Sequence, residues 1–237
     1  FFHPDPGNPE PLWSRGLGDV YKRQVVGSDT DLSASFTGAC TYAAFTDLMS
    51  NCGTANSLGV GGNGVTATGS YAFDSGFSLA AGLSSTADST AAANAYGVLT
   101  KEGSDSYGME LAYTGDSWGA AVAYVFDDNA ASDETTTWGI NANYTFDASN
   151  LPTLSVGYET ESTGNTDKSG YFVGATWPEV GPGSVSIAAG STANFNDTEI
   201  EYLMYELSYS YPVNDGLTIT PGVYIKETAG DDLTGVI

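Results

Sequence analysis

The chain has 237 residues with 29 Asp and Glu against 6 Lys and Arg, a formal net charge of −23. A surface this acidic excludes nucleic acid as a partner, because phosphate binding requires clustered cations. Gly, Ser, Thr, Asn, Asp and Tyr are abundant while Leu, Ile and Lys are scarce. That composition favours many strands with polar turns over helices. No run of 18 apolar residues occurs, so a transmembrane helix is excluded, whereas membrane-spanning strands, which show only alternation, are not.

Residues 1–24 differ from the rest, holding His3, four of the nine prolines and the cations Arg15, Lys22 and Arg23. Ser14 to Gln24, SRGLGDVYKRQ, resembles a translated sequencing adapter. The segment is expected to be non-native and disordered, with the folded domain occupying residues 25–237. It has no signal-peptide pattern of charged start, apolar middle and small-residue cleavage site.

In residues 25–63, Leu32, Ala34 and Phe36 share one parity and predict a strand, and a Gly-, Asn- and Ala-rich loop follows from Gly38. Cys40 and Cys52 lie in that loop. In an oxidising compartment two such cysteines pair with each other, the alternative being two free thiols; the lack of a neighbouring His argues against zinc.

From Gly64 the alternation of strands sets in. Val65, Ala67, Gly69, Tyr71 and Phe73 form one arm of a hairpin, Asp74-Ser75-Gly76 the turn, and Phe77, Leu79, Ala81 and Leu83 the return. The clearest hairpin is Ser106 to Phe126. Tyr107, Met109, Leu111 and Tyr113 oppose Gly108, Glu110, Ala112 and Thr114; after Gly115-Asp116-Ser117, Trp118, Ala120, Val122, Tyr124 and Phe126 oppose Gly119, Ala121 and Ala123. Each arm has about the 9–11 residues that a tilted strand needs to cross a bilayer.

Trp138, Ile140, Ala142, Tyr144 and Phe146 continue the pattern against Gly139, Asn141 and Asn143, and Leu154, Val156 and Tyr158 return against Ser155, Gly157 and Glu159. Thr160 to Lys168 is polar and predicts a loop. Tyr171, Val173, Ala175 and Trp177 make the next strand, in which Phe172 falls on the wrong parity, and Val185, Ile187 and Ala189 go back. The last hairpin runs Leu203, Tyr205, Leu207, Tyr209, Tyr211, then Asn214-Asp215-Gly216, a strong turn signal, then Leu217, Ile219, Val223 and Ile225. Pro221 cannot donate a ladder bond, so it predicts a bulge or an unpaired amide.

The fold class read from this pattern is all-β: an antiparallel up-and-down meander of about ten strands plus a stub, with short turns and long acidic loops in alternation, as in a transmembrane β-barrel. Tyr71, Phe73, Phe77, Tyr113, Trp118, Phe146, Trp177 and Tyr211 lie beside the short turns, and Tyr107, Phe126, Trp138, Tyr158 and Tyr171 towards the loops. These predict two aromatic girdles. The small polar parity predicts a lumen wall bearing Glu110, Asn141, Asn143, Glu159, Glu206 and Lys226. A soluble sandwich produces similar alternation, so a soluble extracellular β-protein, an adhesin or glycan-binding module, is the alternative.

The phrases DSYGMELAYTGDSWGAAVAYVF, TTTWGINANYTFDASNLPTLSVGYE, YFVGATWPEVGPGSVSIAAG and YELSYSYPVNDGLTITPGVYIKE resemble the C-terminal half of cyanobacterial outer-membrane porins, chains with an S-layer-homology domain followed by a carbohydrate-porin-like barrel of the OprB family. The resemblance covers roughly Asp74 onward and implies a homotrimeric, sixteen-stranded diffusion channel for ions and small hydrophilic solutes in the outer-membrane lipid. Against the family pattern the chain lacks the S-layer-homology part, the early strands and the last strand, so a partial barrel is expected.

No catalytic constellation emerges, since the sole His lies in residues 1–24, and neither an enzyme activity nor a cofactor is expected. Asp127-Asp128, Asp133-Glu134 and Asp231-Asp232 lack the spacing of a calcium loop and read as solvated acid. With no metal site expected, the 26 carboxylates beyond residue 24 against Lys101, Lys168 and Lys226 predict a cation-preferring channel, Glu110, Glu159 and Glu206 being the wall charges expected to contribute and Lys226 opposing them.

Overall fold

The computed structural model describes residues 22–28, 32–36, 38–42, 45–46, 53, 65–86, 104–128, 133–148, 150–191, 202–227 and 233–236. Residues 1–21 and Cys52 lie outside them. The strands are β1 (Lys22–Ser28), β2 (Val65–Ala72), β3 (Phe77–Thr86), β4 (Ser104–Thr114), β5 (Trp118–Asp128), β6 (Thr135–Thr145), β7 (Thr153–Thr163), β8 (Thr166–Val180), β9 (Gly183–Ser191), β10 (Leu203–Asn214), β11 (Leu217–Ile219), β12 (Gly222–Glu227) and β13 (Leu233–Val236). They form one 13-stranded sheet in sequence order, β11 pairing with β10 beside the main path. Neighbours are antiparallel throughout, and the sheet is not closed: β1 pairs with β2 and β13 with β12.

The alternation read from the sequence is the alternation of faces. In β5, Gly119, Ala121, Ala123 and Val125 are buried while Trp118 and Val122 are exposed; in β7, Ser155, Gly157, Glu159 and Glu161 are buried while Leu154, Val156 and Tyr158 are exposed. In the hairpins the tight turns close with few residues. Gly115 N donates to Trp118 O at 2.8 Å, and Gly216 N to the Asn214 side chain at 2.9 Å, so both turns satisfy a backbone donor locally.

Three expectations are corrected. Leu32–Ser35 is a short 3-10 helix, not a strand; the parity of Leu32, Ala34 and Phe36 over so short a span also fits a turn of helix, and Leu32 is wholly buried against β3 and β4. The strand β1 begins at Lys22, ahead of the residue 24 boundary, with Lys22, Arg23 and Gln24 opposite Tyr71, Ser70 and Gly69. The polar stretch Thr160 to Lys168 is strand on both sides of a two-residue turn, Gly164-Asn165. Side chains hold that hairpin: Lys168 pairs with Glu161 at 3.3 Å, and Thr160 Oγ1 donates to Lys168 O at 3.1 Å. The interruption expected at Pro221 is present: the return after β10 breaks at Thr220-Pro221 into β11 and β12, where Pro221 offers its carbonyl to Tyr209 N at 2.9 Å; the missing amide forbids a continuous ladder.

Among the described residues there is no single core. The buried apolar clusters are small: Leu32, Ala123 and Val125 with Phe36; Ala39, Ala112 and Ala121; and Phe172, Ala188 and Met204 with Cys40, Tyr42 and Tyr224. Each combines residues of the 32–42 segment with one face of the sheet. Gly164 sits at φ 57°, and a Cβ there would overlap the Asp133 carboxylate. A side chain in the left-handed region costs about 1–2 kcal/mol. Gly164→Ala is expected to lose at least that much stability, measured as a shift in the denaturant midpoint against Asn165→Ala.

Candidate functional site

The described residues between Leu32 and Thr46 form a strap across the small-residue face of the sheet. Leu32 covers Gly82 of β3 and Gly108 of β4, Phe36 also meets Gly108, Ala39 lies on Gly119 of β5, Tyr42 on Gly174 of β8, and Phe45 on Gly222 of β12. The thirteen residue steps from Leu32 to Phe45 reach at most about 45 Å. That is long enough to cross the eight inter-strand gaps, about 38 Å at about 4.8 Å each. A Cβ on Gly174 would stand 2.6 Å from Tyr42 and one on Gly222 2.7 Å from Phe45. The face is featureless because the strap occupies the space that larger side chains would fill.

Lying across strands, the strap cannot join their ladders, so its backbone must find partners on wall side chains. Gly38 N donates to both Glu110 oxygens at 3.2 and 3.1 Å. Ala39 N donates to Asn141 Oδ1 and Asn143 Nδ2 to Ala39 O. Thr41 N donates to Ser155 Oγ at 3.3 Å. Glu206 receives four donors: Tyr42 OH at 2.9 Å and Phe45 N at 2.8 Å on Oε1, Thr46 N at 3.1 Å and Thr46 Oγ1 at 3.0 Å on Oε2. Beyond the strap, Asn141 Nδ2 donates to Gly53 O at 2.9 Å. Gly53 has φ 65° and a Cβ there would overlap the Ile140 carbonyl, so no side chain fits there.

Glu110, Asn141, Asn143, Glu159, Glu206 and Lys226 all fall on the strap side of the sheet, Lys226 opposite Met204 in the β10–β12 register. Glu110, Asn141, Glu159 and Glu206 are buried. Three of these four, together with the half-buried Asn143, hold the strap. The residues missed by sequence reasoning are Tyr42, Phe45, Thr46, Ser155 and Phe172. Phe172, on the wrong parity in the sequence, is 3% exposed, its ring centroid 5.0 Å from that of Tyr42. That misplaced aromatic was the one sequence signal of something lying on the small face.

The thirteen aromatics expected to form girdles occupy the other side. Tyr71, Phe73, Phe77, Tyr107, Trp118, Trp138, Phe146, Tyr158, Tyr171 and Tyr211 are exposed, and Tyr113, Phe126 and Trp177 half-buried. Cys40 is disulfide-bonded. Among the described residues no three His, Cys, Asp or Glu side chains converge as a metal site, and no helix is long and apolar enough to cross a membrane, which says nothing of strands.

Glu206→Gln is isosteric but sets an NH2 group against donors. Leaving a buried donor unmatched costs about 1–3 kcal/mol, so a loss of that order is expected in the denaturant midpoint. A midpoint equal to that of the parent protein contradicts the anchor role.

Comparison with known proteins accords with this geometry. No curated protein matches the sequence. Engineered variants of the porin of Rhodobacter blastica share the fold, with TM-scores of 0.51 and 0.52 at 12% identity over 91% of this chain and 71% of theirs. The family profile described as Gram-negative porin matches residues 23–231. An antiparallel meander in chain order, apolar outside and small and polar inside, matched by that profile over most of its length, belongs to the Gram-negative porin family.

Proposed function

We propose that the chain serves in an outer-membrane channel for passive diffusion of ions and small hydrophilic solutes, with the strap narrowing the lumen. The observation that carries this is the outer face. Leu79, Leu111, Val122, Ile140, Val156, Val173, Ile187, Leu207, Val223 and Ile225 are exposed across nine consecutive strands of the sheet path, β3 to β12. A contiguous apolar band of this extent exceeds what a soluble monomer exposes and suits lipid. The aromatics near the strand ends are the two girdles, and the strap side faces the solutes. Homotrimeric assembly and kinship with cyanobacterial carbohydrate-porin chains belong to the same proposal, supported by the ordered phrases that resemble them.

Cation preference is the finer part of the reading and rests on charge. Since Glu110 and Glu206 are engaged by the strap, the preference draws on the summed field of the acidic chain more than on those two groups acting singly. Two measurements test the proposal. Ile140→Lys places a charge in the band, and about 2–4 kcal/mol of destabilisation is expected in liposomes if it lies near the bilayer midplane; unchanged stability there refutes the lipid-facing assignment. In planar bilayers under a KCl gradient the reversal potential is expected to show cation preference, weakening towards 1 M salt, where the Debye length shortens to about 3 Å. A chloride-preferring channel refutes the charge argument alone.

A further inference from the structure

Near the long-loop end of the sheet, three acids are matched across the ladder by donors. Asp127 of β5 faces Ser106 of β4, which donates to it. Asp167 of β8 faces Ser162 of β7, which donates to it, and Glu161 of β7 faces Lys168 of β8 in an ion pair of 3.3 Å. Asp105 departs from this pattern. It stands on β4 directly opposite Asp128 of β5, acid against acid, with Ser85 of β3 on its other side. All three lie on the outward parity, that of Leu83, Tyr107 and Phe126. Asp105 is nonetheless only 4% exposed, and its Oδ1 is buried without a hydrogen-bond partner.

Directly opposed side chains of an antiparallel pair have Cβ atoms about 4.5–5.5 Å apart, and like charges at that spacing repel. A buried carboxylate oxygen without a donor has also lost its water uncompensated. A cation between the two groups relieves both costs at once. We propose that Asp105 and Asp128 hold a hard divalent cation of the Ca²⁺ type, with the Ser85 hydroxyl as a neutral third ligand and water completing the shell. Oxygen-only donors suit hard cations rather than zinc or copper. Ca²⁺ accepts about six to eight oxygens at about 2.3–2.6 Å in a flexible geometry, so carboxylates one strand spacing apart can close on it from both sides. The site does not depend on the channel reading.

Such an ion ties β3, β4 and β5 together where their pairing ends, at Thr86 with Ser104 and at Asp105 with Asp128. It lies two residues, about 7 Å along the strands, to the loop side of the Tyr107–Phe126 pair. The neighbouring Asp127 has the opposite parity and takes its donor from Ser106 on the strap side, so it is no part of the site. Because the ligands come from three strands, no single run of sequence carries the spacing of a calcium loop. With two carboxylates in place of a full acidic loop, the affinity falls at the weak end for Ca²⁺, a Kd of about 10⁻⁴–10⁻³ M.

The full chain in detergent micelles, stripped with EDTA, is to be titrated with CaCl₂ by calorimetry. One saturable Ca²⁺ per chain is expected in the range of about 0.1–1 mM. Asp105→Asn and Asp128→Asn are each expected to weaken it at least tenfold, the second without disturbing the buried member of the pair. Asp127→Asn removes the same charge from the opposite face and is expected to leave the affinity within about twofold. The denaturant midpoint gives an independent readout. In EDTA, Asp105→Asn is expected to equal or exceed the parent protein, because the repulsion is gone; in about 10 mM CaCl₂, well above the expected Kd, the parent is expected to rise above the variant. Equal weakening in all three variants, or no saturable binding below about 10 mM Ca²⁺, shows diffuse counter-ion association only and overturns the inference. A parent midpoint indifferent to Ca²⁺ overturns it as well.

Discussion

An ionised carboxylate only accepts hydrogen bonds, and its two oxygens offer about four sites. Glu206 commits four of them to the strap. A charged group at a position this buried is costly unless donors replace the water it has lost, and a strap backbone lying across strands is costly unless acceptors replace the ladder it cannot join. Each solves the other's problem. Glu110 under Gly38 and Asn141 under Ala39 repeat the arrangement along the strap.

This mutual satisfaction explains why a wall of glycine, alanine and serine carries isolated glutamates. The small residues make room for the strap, and Glu110 and Glu206 meet it where its amides point at the wall. The apolar clusters beneath it, Leu32 with Val125 and Tyr42 with Phe172, fill in between. The packing found in a soluble protein's interior is therefore distributed along one line across the sheet, while the large apolar side chains on the opposite face remain exposed.

Those two faces were the most legible part of the sequence because a strand's period of two is simple and each face has a uniform environment. Val122 and Ile140 read as outward, and Ala121 and Asn141 as inward, from parity alone. The strap was illegible because it has no period: its residues are placed by contacts with strands up to about 175 positions away, such as Phe45 with Gly222. Thr160 to Lys168 misled for a different reason. Polarity marks a loop only where strands are defined by burial, and this hairpin is held by an ion pair and the hydroxyls of Thr160 and Ser162 instead. β1 was hidden because Lys22 to Gln24 belong to a stretch that resembles an adapter, and backbone pairing is indifferent to that origin.

The glycines under the strap divide the chain into two regimes of sequence drift. An outward position such as Val173 is exposed and answers to its surroundings one residue at a time, so any apolar side chain serves, in keeping with a shared fold at 12% identity. A position such as Gly174 answers to Tyr42, and Gly222 to Phe45. Bulk gained at one member of such a pair has to be surrendered at the other. Covariation between the strap and the wall, rather than invariance of either, is the trace this architecture is expected to leave in related sequences.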